Sequence, residues 1–537
     1  MTGLSNFDHS ASPPRWSLPR EFNAAHDFIE RNLRAGRGGK VAYIHDRGHC
    51  TYEELAARVN RSGNVLKALG IPQESRVMLC LLDTIEYPAM FLGAIKAGIV
   101  PIATNTLLTA KDYEFMLRDS RARALVVAEP LYATFAPFLD SLPHLEHVIV
   151  CGEDAHGRMR LSDLLDQASD RCEPADTSPD DMCFWLYTSG STGSPKGTVH
   201  LHSHLVVHAE LYARGVLGLT ENDLTFSVPK IFFAYGLGAS LAFPLTVGAT
   251  AVLMAERPTP DAVFKRLAEH RPTVFYGVPT LYAAMLAATN LPKRDDMRLR
   301  MSISAGEALS AGLANRWRDH FGSDILDGIG STEMTHIYMS NRPGQNRPGT
   351  SGTPVPGYSV RIADDEGRDV PRGEIGDLYV AGPTSAILYW NNRERTKLTF
   401  QGPWTRSGDK YYVDADGYYV YAGRSDDMLK VSGQFVSPFE VETALASHQA
   451  VLEAAVIGIE DENLLTKPWA YIVLKDGGLG SDALAEELKA HVKGLLMPHK
   501  YPRRIVFVTE LPKTATGKIQ RFRLRERAAE ERDARAA

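Results

Sequence analysis

Apolar and polar positions alternate in blocks along the first two thirds of the chain. Short apolar runs predict buried strands, and stretches with helical periodicity, such as Tyr87–Ala97, lie between them. Thr51-Tyr52-Glu53-Glu54 is a capping box that predicts the start of a helix ending near Gly70. Buried strands joined by helices favour parallel sheets. The predicted strands are Arg76–Leu82, Ile99–Ile102, Ala124–Ala128, His147–Cys151, Thr273–Gly277 and Met301–Ser304.

The pattern changes near residue 350, where glycine, proline and aspartate become frequent. Short strands predicted at Ser359–Ile362, Asp377–Val380 and Gly417–Tyr421 indicate a small antiparallel, barrel-like module. Beyond Lys430 the pattern predicts a compact α+β unit with strands at Ala454–Ile459, Ala470–Leu474 and Ile505–Val508.

Two further features shape the predicted C-terminal unit. Ser437-Pro438-Phe439-Glu440 combines an N-cap, a proline and an acid, which predicts a helix start. The charged segment Arg521–Ala537 is expected to be a loose helical tail. The whole chain is therefore predicted to be α/β, with doubly wound mixed or parallel sheets, and its main boundary separates residues 1–425 from 426–537.

Composition narrows the classes of protein that the chain can be. It has 537 residues, 44% of them apolar and 23% charged, and a net charge of −6, which argues against a nucleic-acid-binding protein. No apolar run approaches the roughly 18–20 residues that span a bilayer, and no secretory signal core begins the chain, so the cytoplasm is the expected compartment. The cysteines predict neither a disulfide framework nor a zinc knuckle, since their number is odd and no C-x-x-C spacing occurs among Cys50, Cys80, Cys151, Cys172 and Cys183.

A segment rich in glycine and hydroxyl residues, Tyr187–Gly197, follows the apolar run Cys183–Tyr187. Backbone N–H groups and side-chain hydroxyls in such a segment can surround phosphate oxygens, and Lys196 supplies the compensating charge. The segment is not a Walker P-loop, because Pro195 and Gly197 flank the lysine. A plain surface loop is the alternative interpretation.

This segment, YTSGSTGSPKG, resembles the first signature of the adenylate-forming superfamily, which comprises acyl-CoA synthetases, carrier-protein adenylation domains and luciferases. Further signatures occur in the family's order, so the resemblance extends over nearly the whole chain. It implies a large N-terminal domain and a small, mobile C-terminal domain (426–537) with a hinge at Asp426. The further matching segments are Ala305–Leu309, Gly328–Glu333, Ser407–Asp409, Gly423–Asp427, Lys430–Gln434 and Pro512–Lys518.

The resemblance implies roles for individual residues. Thr332 would bind the α-phosphate of ATP, Glu333 would hold Mg²⁺ and Lys518 would be the catalytic lysine. Ile329 stands where the family usually has a tyrosine, so stacking on adenine is lost while an apolar face is kept. The implied ATP-binding residues are Thr188, Ser189, Gly190, Ser191, Thr192, Gly193, Lys196, Gly306, Glu307, Ala308, Asp327, Gly328, Ile329, Thr332, Asp409, Arg424 and Lys518.

The implied reaction joins two anions, a carboxylate and the α-phosphate. A lysine and Mg²⁺ between them would offset the repulsion. The acyl-adenylate would then pass its acyl group to coenzyme A after the C-terminal domain turns about Asp426. That turn removes Lys518 and brings in a second face, which contains Lys430, Ser432 and Gly433.

Two segments are implied to wall the acid pocket, Ile231–Gly236 and Met334–Ile337. Apolar and aromatic walls suit a flat hydrophobic ring, and no aspartate stands ready to bind an amino group. Together with Arg347–Gly352 and Lys430–Gln434, this combination most resembles the benzoate–CoA ligases. A plain hydrophobic core is the alternative for the aromatic run. The candidate lining residues are Ala234, Tyr235, Ala305, Gly330, His336 and Ile337.

Other functions stay open at this point. The chain could load an aryl acid onto a carrier protein, act on another hydrophobic acid, or be a nucleotide-binding regulator without chemistry. The expected partners are a small aromatic acid, ATP and CoA, without nucleic acid or membrane, and a homodimer is one option for the oligomeric state. A zinc site is disfavoured, although alternation along a strand would place three imidazoles on one side among His200, His202, His204 and His208.

Overall fold

The computed structural model describes residues 3–190, 193–425, 427–431, 434–460, 465–475, 477–478, 480–497, 499–513 and 519–536. The strands in these residues are β1 (Asn6–Asp8), β2 (Arg15–Ser17), β3 (Val41–His45), β4 (Gly48–Thr51), β5 (Arg76–Cys80), β6 (Val100–Ala103), β7 (Ala124–Ala128), β8 (His147–Cys151), β9 (Met159–Arg160), β10 (Met182–Gly190), β11 (Gly193–Leu201), β12 (Leu224–Ser227), β13 (Thr250–Val252), β14 (Val274–Gly277), β15 (Met301–Ser304), β16 (Ile325–Gly330), β17 (Ile337–Ser340), β18 (Thr353–Pro354), β19 (Ser359–Ala363), β20 (Gly376–Ala381), β21 (Leu388–Tyr389), β22 (Phe400–Gln401), β23 (Trp404–Val413), β24 (Tyr419–Arg424), β25 (Leu429–Val431), β26 (Gln434–Val436), β27 (Val451–Glu460), β28 (Thr466–Leu474) and β29 (Arg504–Phe507).

The α-helices of the same residues are α1 (Ala24–Arg34), α2 (Tyr52–Ala68), α3 (Glu86–Lys96), α4 (Ala110–Ser120), α5 (Tyr132–Phe135), α6 (Leu161–Gln167), α7 (His202–Ala209), α8 (Ala234–Leu237), α9 (Phe243–Val247), α10 (Pro260–His270), α11 (Pro279–Ala287), α12 (Ala311–Phe321), α13 (Arg393–Thr399), α14 (Pro438–Ala446), α15 (Asp482–Leu495) and α16 (Arg521–Ala536). None of these described helices combines the length and the apolar character that crossing a bilayer requires.

Two large sheets dominate the described N-terminal part. One has the strand order β21-β11-β10-β6-β5-β7-β8-β9 and is parallel from β10 to β9. The other has the order β18-β17-β16-β15-β14-β12-β13-β3-β4 and is parallel from β16 to β3. Their strands are apolar because helices cover both faces, as expected for buried parallel sheets. The predicted doubly wound α/β fold is confirmed.

Helix α3 shows how the large core is assembled. Nearly all of its residues are buried, including Lys96, and it packs against α1 and α2. The predicted capping box of α2 is present, because Thr51 Oγ1 accepts from Glu54 N–H and Glu54 Oε2 accepts from Thr51 N–H. The two helices approach closely at Gly93, where an added Cβ would lie 2.4 Å from Ser62 Cβ. A side chain at position 93 would force the helices apart.

The predicted antiparallel module is a five-stranded sheet, β19-β20-β23-β22 with β24 beside β23. The C-terminal residues form a smaller sheet, β27-β28-β29, covered by α14, α15 and α16. Ser437 caps α14 as predicted, since its Oγ accepts from Glu440 N–H at 3.1 Å. This smaller unit has hydrophobic clusters of its own, around Val456 and Ile457.

The last helix is not the loose tail that the sequence suggested. Leu524 and Ala528 are buried against β27, at 2% and 0% exposure. Arg521 makes a two-pronged ion pair with Glu442, and Arg525 pairs with Asp427 at 2.6 Å. The predicted helix is confirmed, but the prediction that it is loose was wrong, because Arg521 and Arg525 use their charges in contacts within the unit.

Candidate functional site

The segment predicted as a phosphate loop is an extension of two antiparallel strands. Tyr187 faces Gly197 and Thr188 faces Lys196 across the β10–β11 ladder, which continues to Gly190 and Gly193. Tyrosine and threonine favour extended backbone, and the ladder satisfies the backbone groups that a free loop would expose to solvent. The predicted contact residues Ser191 and Thr192 lie outside the described residues.

Lys196 lies near charged groups that are far from it in the sequence. Burial lowers the pKa of its ammonium, and the Glu333 carboxylate acts in the opposite direction, while Arg395 and Arg424 add to the lowering. Its Nζ lies 4.8 Å from the centre of the Tyr389 ring, within the range of a cation–π contact. Three cations near one carboxylate suit a polyanionic ligand.

Glu333 follows β16 in a short turn, Thr332–Met334. Tyr389 Oη donates to Glu333 Oε1 at 2.6 Å, and Ala386 N–H donates to the backbone oxygen of Glu333 at 2.7 Å. Burial and the neighbouring Glu333 raise the pKa of Tyr389, which keeps its hydroxyl a donor. The turn is held from the other side by His200, whose Nε2 donates to Thr332 O at 2.8 Å.

Asp409 and Arg424, two of the predicted nucleotide-binding residues, contact each other. They face each other across β23 and β24, and Arg424 Nη1 donates to Asp409 Oδ1 at 3.1 Å. Ser407 Oγ accepts from Asp409 N–H at 3.0 Å and fixes the backbone of β23 next to the carboxylate.

The remaining predicted nucleotide residues lie at the ends of β15 and β16. Glu307 Oε2 accepts from Thr280 Oγ1 at 2.7 Å, which ties the segment after β15 to the start of α11. Asp327 is buried, and burial raises the pKa of its carboxyl well above the ordinary value. Ile329 is half-buried on β16, and Gly306, Ala308 and Gly328 lie on the same two segments.

The predicted acid-pocket residues come together on a second, apolar side. His336 Nε2 donates to Tyr235 O at 2.9 Å, and the two rings meet edge to face with centres 5.5 Å apart. Tyr235 Oη donates to Ile303 O at 2.9 Å, which places its ring at the end of β15 next to Ala305. Ala234 precedes Tyr235 in α8, and Ile337 begins β17 after His336.

Gly330 lies where β16 and β17 approach most closely in this region. A Cβ at this position would stand 2.3 Å from His336 O and 2.7 Å from Ile337 N. Only glycine fits such an approach without moving the neighbouring strand. The wall beside His336 is therefore formed by main chain.

The histidines that resemble a metal cluster do not lie along one strand. His200 lies on β11, while His202, His204 and His208 belong to α7, so the alternation expected of a strand was wrong. Burial lowers the pKa of His200 and His202 to about 4, and their ring nitrogens contact Thr332 O and Ala24 N–H. Within the described residues no group of three or more potential ligands could hold a metal ion.

The structure does not describe the side chains of several predicted site residues in the C-terminal unit. Asp426, Ser432, Gly433 and Lys518 lie outside the described residues, and only the backbone of Lys430, on β25, is described. Sequence reasoning also missed two neighbours of the charged site, Tyr389 and Arg395. The sequence around them indicates only local structure, because Asn392 is an N-cap residue whose side chain accepts a hydrogen bond from Arg395 N–H at the start of α13.

Comparison with protein-family models identifies two regions of the chain. Residues 29–390 match the AMP-binding enzyme family, and residues 440–518 match the AMP-binding enzyme C-terminal domain. The first region contains the strand pair β10–β11, Glu333 and the acid-pocket residues, so the family match and the geometry concern the same part of the molecule.

Individual relatives are similar over nearly their whole length. A benzoate–CoA ligase from Thauera aromatica is 60% identical over 527 residues, which cover 98% of this chain and all of the relative. The crystal structure of a benzoate CoA ligase from Burkholderia xenovorans LB400 has a TM-score of 0.89 and 54% identity, covering 94% of this chain and 100% of that one. An anthranilate CoA ligase in complex with anthranoyl-AMP has a TM-score of 0.91 and 44% identity over 95% and 98% of the two chains. With a family model matching more than half of its length, this chain belongs to the AMP-binding enzyme family.

Proposed function

We propose that this enzyme activates benzoate with ATP as benzoyl-adenylate and transfers the benzoyl group to coenzyme A, releasing diphosphate and AMP. The full-length similarity to benzoate–CoA ligases supports both the reaction and the acid. The cytoplasm remains the predicted place of this reaction.

One observation supports the proposal most directly: the short segment from Glu333 to His336 borders both the charged side and the apolar side of the site. Glu333 faces the cationic group around Lys196, and His336, three residues later, packs against Tyr235. A small aromatic acid between these two sides would have its ring against apolar walls and its carboxylate near the nucleotide's phosphates. Such proximity converts the encounter of two reactants into a reaction within one complex.

In the adenylation step, Lys196 and the backbone of the β10–β11 strand pair would bind the outer phosphates. The Asp409 carboxylate would accept hydrogen bonds from the ribose hydroxyls, and its position beside Arg424 supports this role. Lys518 would approach the α-phosphate and stabilise the charge that develops there as the carboxylate attacks.

Glu333 fits a magnesium ion. It offers hard carboxylate oxygens, and its Oε1 is already oriented by the Tyr389 hydroxyl, the type of outer contact that metal-ligating carboxylates use. When bound, the ion would supply positive charge to the phosphate oxygens.

For the thioester step we propose that residues 426–537 turn about Asp426 relative to residues 1–425. The turn would withdraw Lys518 and present Lys430, Ser432 and Gly433 to the pantetheine thiol. The separate family match of residues 440–518 and the separate hydrophobic clusters of this unit support a division near residue 425.

An AMP-release assay with a panel of acids tests the reaction and the acid together. The panel contains benzoate, hydroxybenzoates, aminobenzoates, cinnamates and aliphatic acids, each with and without CoA. We expect benzoate to give the highest kcat/KM and benzoyl-CoA to accumulate when free CoA is present. Preference for a medium-chain fatty acid would contradict the substrate.

The same assay separates the alternative functions. AMP formation without turnover of free CoA would favour an enzyme that loads a carrier protein. Absence of AMP with every acid would favour a nucleotide-binding regulator without chemistry.

A further inference from the structure

Tyr389 is a buried residue that contacts both charged partners of the candidate nucleotide site. It is 3% exposed. Its hydroxyl donates to Glu333 Oε1 at 2.6 Å, and its ring centre lies 4.8 Å from Lys196 Nζ. Glu333 follows a strand of one large sheet and Lys196 lies on a strand of the other, so a single side chain bridges the two sheets at the site.

The backbone around Tyr389 is held on both sides. On one side, β21 pairs with β11, with Tyr389 facing Thr198. On the other side, Ala386 N–H donates to Glu333 O at 2.7 Å, and Thr384 Oγ1 donates to Met334 O at 2.9 Å. Residues 384–389, which we name the clamp segment, therefore connect the strand that carries Lys196 to the turn that carries Glu333.

We propose that Tyr389 is a positioning residue that orients Glu333 toward the magnesium ion of the bound nucleotide and holds Lys196 near the phosphates. The inference rests on the proposed function, since it assumes that the site binds ATP with Mg²⁺. Outer hydrogen-bond partners fix the direction of a metal-ligating carboxylate, and their loss typically lowers metal affinity about 10–100-fold.

The two contacts of Tyr389 can be separated by substitution. Tyr389→Phe removes the hydrogen bond to Glu333 and keeps the aromatic face below Lys196. Tyr389→Leu removes both, because an aliphatic side chain has no ring quadrupole to attract the ammonium. Both variants should lose the orientation of the Glu333 carboxylate, whereas only Tyr389→Leu should also lose the ring contact that holds Lys196.

Calorimetric titration with α,β-methylene-ATP, at stepped Mg²⁺ concentrations and without acid or CoA, tests this role. We expect Tyr389→Phe to raise the Mg²⁺ concentration for half-maximal nucleotide binding about tenfold or more, with Mg²⁺-free binding nearly unchanged. Tyr389→Leu should in addition weaken Mg²⁺-free binding several-fold. A Tyr389→Phe, Glu333→Gln double variant should need no more Mg²⁺ than Glu333→Gln alone, because the hydroxyl acts through that carboxylate.

Tyr52→Phe is the matched control. Tyr52 is similarly buried, and its hydroxyl donates to Ala249 O at 2.7 Å between α9 and β13, so the same atom is lost without contact to the charged site. This control should bind nucleotide and Mg²⁺ like the unmodified protein, and thermal unfolding verifies that each variant is folded.

Three results would overturn the inference. In the first, Tyr389→Phe requires the same Mg²⁺ concentration as the unmodified protein. In the second it requires less, which would mean that the hydroxyl competes with the metal. In the third, the unmodified protein fails to bind the nucleotide with Mg²⁺, which would also contradict the proposed function. By contrast, a preference for a different acid substrate would contradict the proposed substrate and leave this inference intact.

Discussion

At the scale of single residues, the sequence indicates those site residues that belong to motifs, because a motif fixes both the type of side chain and its place along the chain. Asp409 and Arg424, both predicted for the nucleotide site, contact each other, and so do Tyr235 and His336 of the predicted acid pocket. Tyr389 could not be predicted, because its role arises from a contact with Glu333 across a gap of 56 positions. A tyrosine that ends a two-residue strand carries no local signal of such a contact.

Lys518 gives a prediction at this scale. Lys518→Ala is expected to lower the rate of benzoyl-adenylate formation by on the order of 10²–10³, because a charge that stabilises the transition state is lost. Thioester formation from supplied benzoyl-adenylate should fall much less. Pyrophosphate release measures the first step and CoA consumption the second.

Lys475→Ala is the control for this variant. Lys475 is an exposed lysine of the same unit, and its Nζ donates to Gln449 O at 2.8 Å. Equal losses in both half-reactions of Lys518→Ala would contradict the assignment of different roles to the two faces of the C-terminal unit.

At the scale of elements, the six strands predicted between Arg76 and Ser304 agree with the observed bounds to within two residues, because parallel strands with both faces covered are continuous apolar runs. Other strands of the same sheets, such as β12 and β13, were not predicted. The strand pair β10–β11 is different, since the glycine and hydroxyl residues at its tip are typical of a loop, while the structure extends the hairpin ladder to Gly190 and Gly193. Helix α7 was missed because its histidines are spaced like the residues on one side of a strand. Helix α16 was predicted as a helix but as a loose one, because the burial of Leu524 depends on partners far away in sequence.

The docking of α16 supports a prediction about the C-terminal unit. Arg521→Met should destabilise this unit by about 3 kcal/mol, because Glu442 keeps a buried charge and loses its cation. Amide hydrogen exchange in α14 and α16 should then become faster by on the order of 100-fold, while exchange in β5 and β7 stays unchanged.

Arg523→Met, on the exposed side of the same helix, is the control and should change exchange little. Unchanged protection of α14 in Arg521→Met would mean that the apolar contacts of Leu524 and Ala528 suffice to dock the helix.

At the scale of the whole molecule, buried histidines make stability depend on pH. Burial lowers the pKa of His202 to about 4 and those of His204 and His208 well below 6.5. The unfolded chain takes up protons at these groups below about pH 6.5, while the folded protein takes them up only near pH 4 or lower. Stability is therefore fully present above pH 6.5 and is lost as the pH falls, by up to about 1.4 kcal/mol per pH unit and histidine.

Comparison of the unmodified protein with His204→Asn isolates one of these contributions. Buried carboxyls act in the opposite direction, because burial raises the pKa of Asp83 to about 6 and that of Asp327 well above its ordinary value. Their effect is common to both proteins and cancels in the difference. We expect the thermal midpoint of His204→Asn to fall less between pH 7.5 and pH 5.5 than that of the unmodified protein, and equal shifts would contradict this role.

The close approach at Gly330 limits how the predicted acid pocket can diversify. One wall is peptide backbone shared by two strands, so no substitution there can enlarge the space, and any added atom must collide with the strand that follows. Bulkier acids can be admitted only by shortening side chains, such as those of His336, Ile337 and Tyr235. A change of substrate, by engineering or after gene duplication, is thereby limited to these side chains and leaves the main chain at Gly330 as it is.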